Sequence, residues 1–271
     1  MQTCNGASLQ KLKTKMDDLL IVNNLCKTFK LSPKQQRIEG TKQKTAVDDL
    51  SFTARRGEIF GLLGPNGAGK TTTLRILSTL IRPDSGNAFF DGVSVVDEPE
   101  KVRTKIAFLT SELKLEDFFT PNYLFDFFSQ LHGVSPEVAR ERKEQLFSRF
   151  GIDRFAEVKV ANLSTGMKQK VSIVISLVHD PDIIIFDEPT NGLDVLTART
   201  VTDFLQELRA KGKTIILSTH IFSLVERLCD CVGVIIDGRM VACGSLSEVC
   251  NGLQLEDRFF ELYKEVKGDE E

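Results

Sequence analysis

Short apolar runs alternate along the chain with longer segments in which apolar residues recur every three or four positions. The short runs are typical of buried strands, and the periodic segments are typical of amphipathic helices. The pattern predicts strands at residues 19–29, 46–60, 87–90, 93–96, 106–109, 183–186, 214–217, 233–236 and 239–242. It predicts helices after residue 70 and at residues 121–131, 136–151, 171–178, 195–209 and 255–266.

Strands that alternate with helices indicate a mainly parallel sheet with crossover helices, and hence an α/β fold. Residues 112–162 differ, because two consecutive helices without strands indicate a helical subdomain inserted into that core. The basic stretch at residues 32–45 is expected to be an exposed loop between two strands of a small antiparallel sheet. We expect one domain at residues 19–268, preceded by a flexible polar tail at residues 1–18.

Net charge, apolar content and cysteine distribution bear on which class of protein this is. A net charge of −3 over 271 residues argues against a nucleic-acid-binding surface that covers the whole chain. No run approaches eighteen apolar residues, and the N-terminus lacks the apolar centre of a signal peptide, so a cytosolic protein is expected. The six cysteines are scattered; Cys229 and Cys231 could be redox-active or bind metal, but reduced thiols packed in the core are the favoured interpretation.

A glycine-rich segment joins the apolar run Ile59–Leu63 to a helical stretch. Its glycines permit positive φ angles and close backbone approach to an anion, and the dipole of the following helix favours negative charge at the same point. A chance glycine turn is the alternative, but a strand before the loop and a helix after it favour a phosphate-binding loop. In such a loop the lysine reaches the β- and γ-phosphates, and the threonine hydroxyl can bind Mg²⁺. The residues of this loop are Gly64, Pro65, Asn66, Gly67, Ala68, Gly69, Lys70, Thr71 and Thr72.

Two carboxylates and a histidine follow buried strands. Asp187 and Glu188 end the apolar run at residues 183–186, and His220 follows the strand at residues 214–217. Ligands bind at this carboxyl edge in open α/β sheets. We assign Asp187 to a magnesium site, Glu188 to polarising the attacking water, and His220 to a hydrogen bond with the γ-phosphate. Solvation or helix capping is the alternative for the acidic pair, and packing is the alternative for the histidine.

The segment Leu163-Ser164-Thr165-Gly166-Met167 precedes a predicted helix. A serine hydroxyl and backbone N–H groups at a helix N-terminus can form a second anion site, with Gly166 allowing close approach. Alone, this segment is better explained as a helix cap, and only its combination with the other motifs favours an anion site.

Taken in order, GPNGAGKTT, LSTGM, IIIFDEP, NGLD and a later histidine resemble the ATP-binding subunit of ABC transporters, over residues 19–266. LSTGMKQ and FLTSE are most similar to the bacterial group of sodium-extruding and drug-exporting subunits. The resemblance implies a P-loop NTPase core with a mainly parallel sheet, an N-terminal antiparallel β subdomain and an inserted helical subdomain.

The resemblance also implies how ATP and Mg²⁺ are held. Two subunits meet head to tail, and each ATP lies between the phosphate loop of one and Ser164, Thr165 and Gly166 of the other. It makes Asp187 the magnesium-site aspartate, Glu188 the catalytic base and His220 the switch histidine. Residues 191–194, which end at Asp194, cross the dimer interface, and Phe29 stacks on adenine. Ser111 replaces the glutamine usual at the end of the strand at residues 106–109, so we assign it to the magnesium site through water or with help from Glu112.

We therefore expect an ATPase that drives an integral membrane permease, for export, at the inner face of the cell membrane. The partner ATPase is a second copy or a related subunit, and no nucleic acid is expected. The alternative is a soluble ABC-type ATPase that acts on nucleic acid, ribosomes or assembly complexes. A P-loop kinase would explain neither LSTGM nor Glu188. Six aromatic residues fall where the permease is expected to dock; we expect more than half in the core and one or two at the partner: Phe118, Phe119, Tyr123, Phe125, Phe127 and Phe128.

Overall fold

Two β-sheets organise the chain, whose computed structural model describes residues 18–110 and 115–268. The smaller sheet is antiparallel and has the strand order β2-β1-β4-β5, and the larger sheet has the order β10-β9-β3-β8-β7-β6. The strands are β1 (Asp18–Lys30), β2 (Gln43–Arg55), β3 (Ile59–Leu63), β4 (Ser85–Phe90), β5 (Val93–Ser94), β6 (Ile106–Thr110), β7 (Ile183–Asp187), β8 (Thr214–Thr219), β9 (Cys231–Ile236) and β10 (Arg239–Ser245).

Within the described residues, eight α-helices lie in connections between these strands, and two follow the last strand. They are α1 (Pro33–Glu39), α2 (Lys70–Leu77), α3 (Pro99–Arg103), α4 (Pro121–Leu131), α5 (Pro136–Phe150), α6 (Thr165–Ser176), α7 (Val195–Ala210), α8 (Phe222–Leu228), α9 (Leu246–Cys250) and α10 (Leu255–Lys267). In the described part of the chain, none of them has the length and apolar character needed to cross a membrane.

The larger sheet is parallel except at β10, which pairs antiparallel with β9. Its central strands are apolar on both faces, as expected when helices cover both sides of a sheet. Successive residues of β7 accordingly point into different cores: Ile184 and Phe186 lie in one apolar cluster, and Ile183 and Ile185 lie in the other. The predicted α/β core with a mainly parallel sheet is therefore confirmed.

The smaller sheet packs beside this core, and the stacked rings of Phe52 and Phe60 join the two, with centroids 5.0 Å apart. Its first strand begins at Asp18, one residue before the expected start of the domain. The prediction of a loop throughout residues 32–45 was wrong, because Pro33–Glu39 forms a helix there. Ser32 and Gln35 bond each other's backbone N–H groups in a capping box, and this stabilises a helix of only two turns.

Other predicted boundaries also shift. Helix α6 begins at Thr165, not at residue 171, because the Ser164 hydroxyl accepts a hydrogen bond from the Met167 N–H and caps it. The short helices α3, α8 and α9 were not predicted; at five to seven residues each, they carry too little apolar periodicity to be recognised.

The predicted helical subdomain is formed by α4 and α5, which begin at the Ser/Thr-Pro signals. The expectation that most of its aromatic cluster is core was wrong. Phe125 alone among the six is fully buried, and Phe119 and Phe128 lie at the edge of the core. The rings of Phe118, Tyr123 and Phe127 are exposed.

The two central cysteines fit the expectation of packed thiols. Burial foremost raises the pKa of the Cys229 thiol to about 12 and that of the Cys231 thiol to about 11. Both groups are therefore protonated near pH 7 and are poor nucleophiles and metal ligands.

Replacing Phe125 by alanine tests the packing of the helical subdomain. The ring has no exposed surface and meets Phe147 edge-on at 5.7 Å. We expect Phe125→Ala to lower the free energy of unfolding by about 3–5 kcal/mol, measured by urea denaturation. The control is Phe155→Ala in the same subdomain, where the ring is exposed; equal losses for the two variants would contradict this packing.

Candidate functional site

The phosphate-loop candidate, residues 64–72, connects β3 to α2 and is enclosed so tightly that two of its glycines are required. Gly69 has a φ of +103°, and a Cβ there would lie 2.1 Å from the Ala46 carbonyl oxygen. A Cβ at Gly64 would lie 2.3 Å from the carbonyl oxygen of Ile235. The neighbouring backbone, which cannot yield as a side chain can, therefore sets the path of the loop.

Lys70 begins α2 and turns its side chain back into the loop, where only 5% of it is exposed. Its ammonium group donates hydrogen bonds to the carbonyls of Gly64 at 2.7 Å and Pro65 at 3.2 Å. It also lies 3.5 Å from Glu188 Oε1. Desolvation lowers the pKa of Lys70, and Glu188 opposes that shift. The loop thus holds a buried cation beside the helix N-terminus, a combination that suits a phosphate chain.

Asp187 is buried at the end of β7 and connects three elements. Its Oδ1 accepts hydrogen bonds from the Thr71 hydroxyl of α2 at 3.1 Å and from the Ser218 hydroxyl of β8 at 2.5 Å. The sequence prediction had not singled out Ser218. A hydroxyl inside an apolar strand was the available signal, but it does not reveal its partner.

Glu188 follows Asp187 with a φ of +51°, a left-handed conformation that is rare for a residue other than glycine. Its backbone N–H donates to the Ser218 carbonyl and hydroxyl oxygens, at 3.2 Å and 3.1 Å. This left-handed turn of the backbone directs the Glu188 carboxylate toward His220, whose Nδ1 lies 3.1 Å from both carboxylate oxygens. A carboxylate between an ammonium group and an imidazole is placed to accept a proton or to release one.

The donor set fits magnesium. Asp187 supplies a carboxylate and Thr71 a hydroxyl, and Mg²⁺ prefers oxygen ligands, usually one or two from the protein with phosphates and water completing the octahedron. Within residues 18–110 and 115–268, no group of three or more His, Cys, Asp or Glu side chains could hold a metal without such additions. The third predicted ligand, Ser111, lies outside the described residues.

Two cavities adjoin the phosphate loop. One of about 180 Å³ is lined by loop residues between Asn66 and Thr72, Ala68 excepted, together with Ala46 and Glu188. The other, of about 380 Å³, is lined in part by Lys44, Thr45 and Tyr263 of α10, and for Tyr263 the sequence carried no signal. Phe29, the expected adenine-stacking residue, is 40% exposed and pairs with Lys44 in the β1–β2 register.

The second anion-site candidate is formed at the start of α6. Ser164 caps this helix, and Gly166 lies against the start of α7, where a Cβ would be 3.4 Å from Thr197 Oγ1. Asp194 caps α7, accepting from the Thr197 hydroxyl at 2.7 Å and from two backbone N–H groups at 3.0 Å. These bonds, that from the Thr197 hydroxyl foremost, lower the pKa of Asp194.

The predicted residues therefore form two clusters. The first brings together the phosphate loop, Thr71, Asp187, Glu188 and His220 through the contacts given above. The second joins the capping segment of α6 to Asp194. Among the described contacts, no hydrogen bond or ion pair connects the second cluster to the first.

A family model described as "ABC transporter" matches residues 47–191. The ABC transporter ATP-binding protein NatA of Bacillus subtilis is 39% identical over 225 residues, which cover 82% of this chain and 92% of that protein. The chain belongs to the ABC transporter family. It is an ATP-binding subunit and an ATPase of that family, so the recognition made from the sequence motifs is confirmed.

Further relatives agree. The Nod factor export ATP-binding protein I of Ralstonia nicotianae is 38% identical over 78% of this ABC subunit and 67% of its own length. A solved ATP-binding subunit of an ABC transporter has a TM-score of 0.80 and 31% identity, covering 91% of this chain and all of that one. A dimeric cassette in a post-hydrolysis state, bound to ADP and Pi, has a TM-score of 0.74 and 26% identity, covering 84% and 98%.

Lys70→Ala tests the phosphate loop of this ABC subunit. Removing the buried ammonium group removes a charge-assisted contact to the nucleotide, so affinity for ATP should fall about 10- to 100-fold. Isothermal titration calorimetry measures this change, and the exposed Lys101→Ala provides the control. Unchanged affinity in Lys70→Ala would show that this lysine does not hold phosphate.

Proposed function

We propose that two copies of the chain, meeting head to tail, bind ATP between the phosphate loop of one copy and residues Ser164–Gly166 of the other. The observation that carries this proposal is the division of the predicted site into two clusters. One holds the buried lysine and both carboxylates, and the other presents a serine-capped helix N-terminus with a small residue at Gly166. Each is a half-site for a triphosphate, and a head-to-tail pair joins them.

The surface beside the second cluster supports this arrangement. Val195 and Leu196 directly follow Asp194 and are 83% and 78% exposed. This exposed aliphatic pair is apolar surface that a partner subunit would cover. The solved dimer that the chain resembles, bound to ADP and Pi, shows that such cassettes pair.

In the proposed site, Glu188 is the general base for the water that attacks the γ-phosphate. Its carboxylate is hydrogen-bonded to His220 and faces Lys70, so it is held at the end of the loop where the γ-phosphate would lie. His220 orients this carboxylate and contacts the γ-phosphate. Thr71 and Asp187 would hold Mg²⁺, which when bound offsets the charge of the transferred phosphoryl group.

The membrane partner is proposed to dock in an apolar groove of about 380 Å³ between the larger sheet and the helical subdomain. Tyr123 and Phe127 line it with exposed, nearly parallel rings, and the stacked imidazoles of His132 and His179 also line it. A short amphipathic segment of a permease would suit its shape and apolar lining. Phe118 does not line the groove.

We propose export as the direction of transport and the inner face of the cell membrane as the location. The similarity to an export ATP-binding protein supports the direction, and the expected permease contact supports the location. The alternative, a soluble ATPase acting on nucleic acid, ribosomes or assembly complexes, gains no support from the relatives reported above, which are named as transporter or export subunits.

Glu188→Gln tests the base and the dimer together. The amide keeps the size of the side chain but cannot take up a proton, so turnover should fall by about 100- to 10,000-fold while ATP binding persists. Unhydrolysed ATP should then hold two copies together, as a dimer seen by light scattering. Phosphate release gives the rate, with the exposed Glu256→Gln as control; undiminished release by Glu188→Gln would identify a different base.

The double substitution Tyr123→Ala, Phe127→Ala tests the groove. Both rings are partly solvated, so the fold and the ATPase rate of the isolated chain should change less than about twofold. Recovery of an integral membrane protein with the tagged chain, from detergent-solubilised membranes, should be lost. Phe118→Ala, an exposed ring outside the groove, should retain it. Retention by the double variant would exclude this groove.

A further inference from the structure

The Ser218 hydroxyl is a buried group at the site to which the predictions gave no role. The residue has no exposed surface, and it lies directly opposite Asp187 in the parallel β7–β8 register. Its side chain contacts Asp187 Oδ1 at 2.5 Å and the Glu188 backbone nitrogen at 3.1 Å. One hydroxyl therefore contacts both residues of the acidic pair.

The direction of these hydrogen bonds is determined. The Glu188 N–H can only donate, so the Ser218 oxygen accepts from it. The single hydroxyl hydrogen is then directed to the Asp187 carboxylate, which can only accept when ionised. A hydrogen bond to an ionised carboxylate is about twice as strong as one between neutral groups. Ser218 thus holds the Asp187 carboxylate in one orientation.

The second contact acts on the backbone. Glu188 adopts a left-handed conformation that is strained for a residue with a Cβ. The Glu188 N–H is shared between the carbonyl and the hydroxyl oxygen of Ser218. These hydrogen bonds hold the backbone turn between Asp187 and Glu188 in place. Asp187 and Glu188 are adjacent in the chain, and Ser218 contacts the side chain of the first and the backbone of the second. The same serine therefore helps to position both carboxylates.

We propose that Ser218 is a positioning residue for the magnesium site: its hydroxyl holds the Asp187 carboxylate in the orientation that binds the metal accompanying ATP. Ser218 makes no contact with nucleotide in this role and acts through Asp187. The inference rests on the magnesium site of the proposed function. It goes beyond that proposal by naming a residue that prepares the metal ligand before nucleotide arrives.

The test separates binding of the nucleotide from binding of the metal. Calorimetry with a non-hydrolysable ATP analogue is run on the full chain, in excess Mg²⁺ and in EDTA, and the ratio of the two affinities gives the magnesium enhancement. Ser218→Ala should leave the affinity in EDTA within about twofold of the unsubstituted chain. The magnesium enhancement should fall about tenfold, which corresponds to loss of one charge-assisted hydrogen bond.

Two further variants control for folding and for the loss of any buried hydroxyl. Ser218→Cys keeps the shape of the side chain but replaces the hydroxyl by a larger and much weaker donor, and it should lose most of the enhancement even if the alanine variant is unstable. Ser78→Ala removes another buried serine hydroxyl, bonded to the Leu74 carbonyl at 2.6 Å, and should leave the enhancement unchanged. Melting temperatures identify the folded variants.

The outcomes are distinguishable. A full magnesium enhancement in a folded Ser218→Ala or Ser218→Cys variant would overturn the positioning role alone. Equal losses in Mg²⁺ and EDTA would also overturn it, since they indicate a general structural effect. If the unsubstituted chain binds the analogue equally well with and without Mg²⁺, the proposed magnesium site fails, and this inference fails with it.

Discussion

The register of three neighbouring parallel strands is the constraint on which the site depends. Leu63 of β3 is paired with Thr219 of β8, and Ser218 of β8 is paired with Asp187 of β7. The three strands therefore end at the same edge of the sheet. A slip of one residue would turn Asp187 to the other face, since successive side chains alternate. The apolar side chains of these strands pack into the cores on the two faces of the sheet, so the packing that stabilises the fold also holds the site residues in alignment.

Burial of charge at this edge has a cost that the arrangement offsets. Desolvation disfavours the ammonium form of Lys70 and lowers its pKa; the nearby Glu188 carboxylate offsets part of this shift, and two backbone carbonyls accept hydrogen bonds from the ammonium group. The same shielding from water strengthens the attraction between this ammonium and a phosphate. The lysine and the glutamate therefore stabilise each other in the isolated chain, and a bound triphosphate would compete with Glu188 for the same cation.

Elements of the fold could be predicted from the sequence where a single local signal, an apolar run or a helix cap, identified them. Apolar strands such as Ile183–Asp187 and proline-capped helices such as Pro121–Leu131 were recognised because burial or capping leaves a local pattern. The short helix Pro33–Glu39 was missed although its capping box was readable, because basic, apolar-poor residues suggested a loop. The start of α6 was misplaced because the polar residues 168–170 separate the cap at Ser164 from the apolar residues that begin at Val171.

The residues of the candidate site were predicted from the sequence, but the contacts among those residues were not. Lys70, Asp187, Glu188 and His220 stand at recognisable positions after strands, so their convergence followed from topology alone. The bond between Ser218 and Asp187 depends on side-chain direction across two strands, which periodicity does not specify. Likewise, whether each ring of the aromatic cluster is buried depends on how the helical subdomain meets the sheet. Tertiary geometry decides both cases.

Two features near Gly166 are not explained by packing within one chain: the glycine itself and the exposed aliphatic residues that follow Asp194. A methyl group at Gly166 would make a contact of only 3.4 Å with Thr197 Oγ1, and this glycine has no positive φ that would exclude another residue. Packing within the chain therefore places a much weaker demand on this glycine than on Gly64 or Gly69, where a Cβ would collide with backbone. Val195 and Leu196, on the adjoining helix, leave apolar surface in water at a cost of about 25 cal/mol per Å². The proposed interface with a second copy would explain both the small residue at Gly166 and the exposed aliphatic pair, which lie beside the capping segment of α6.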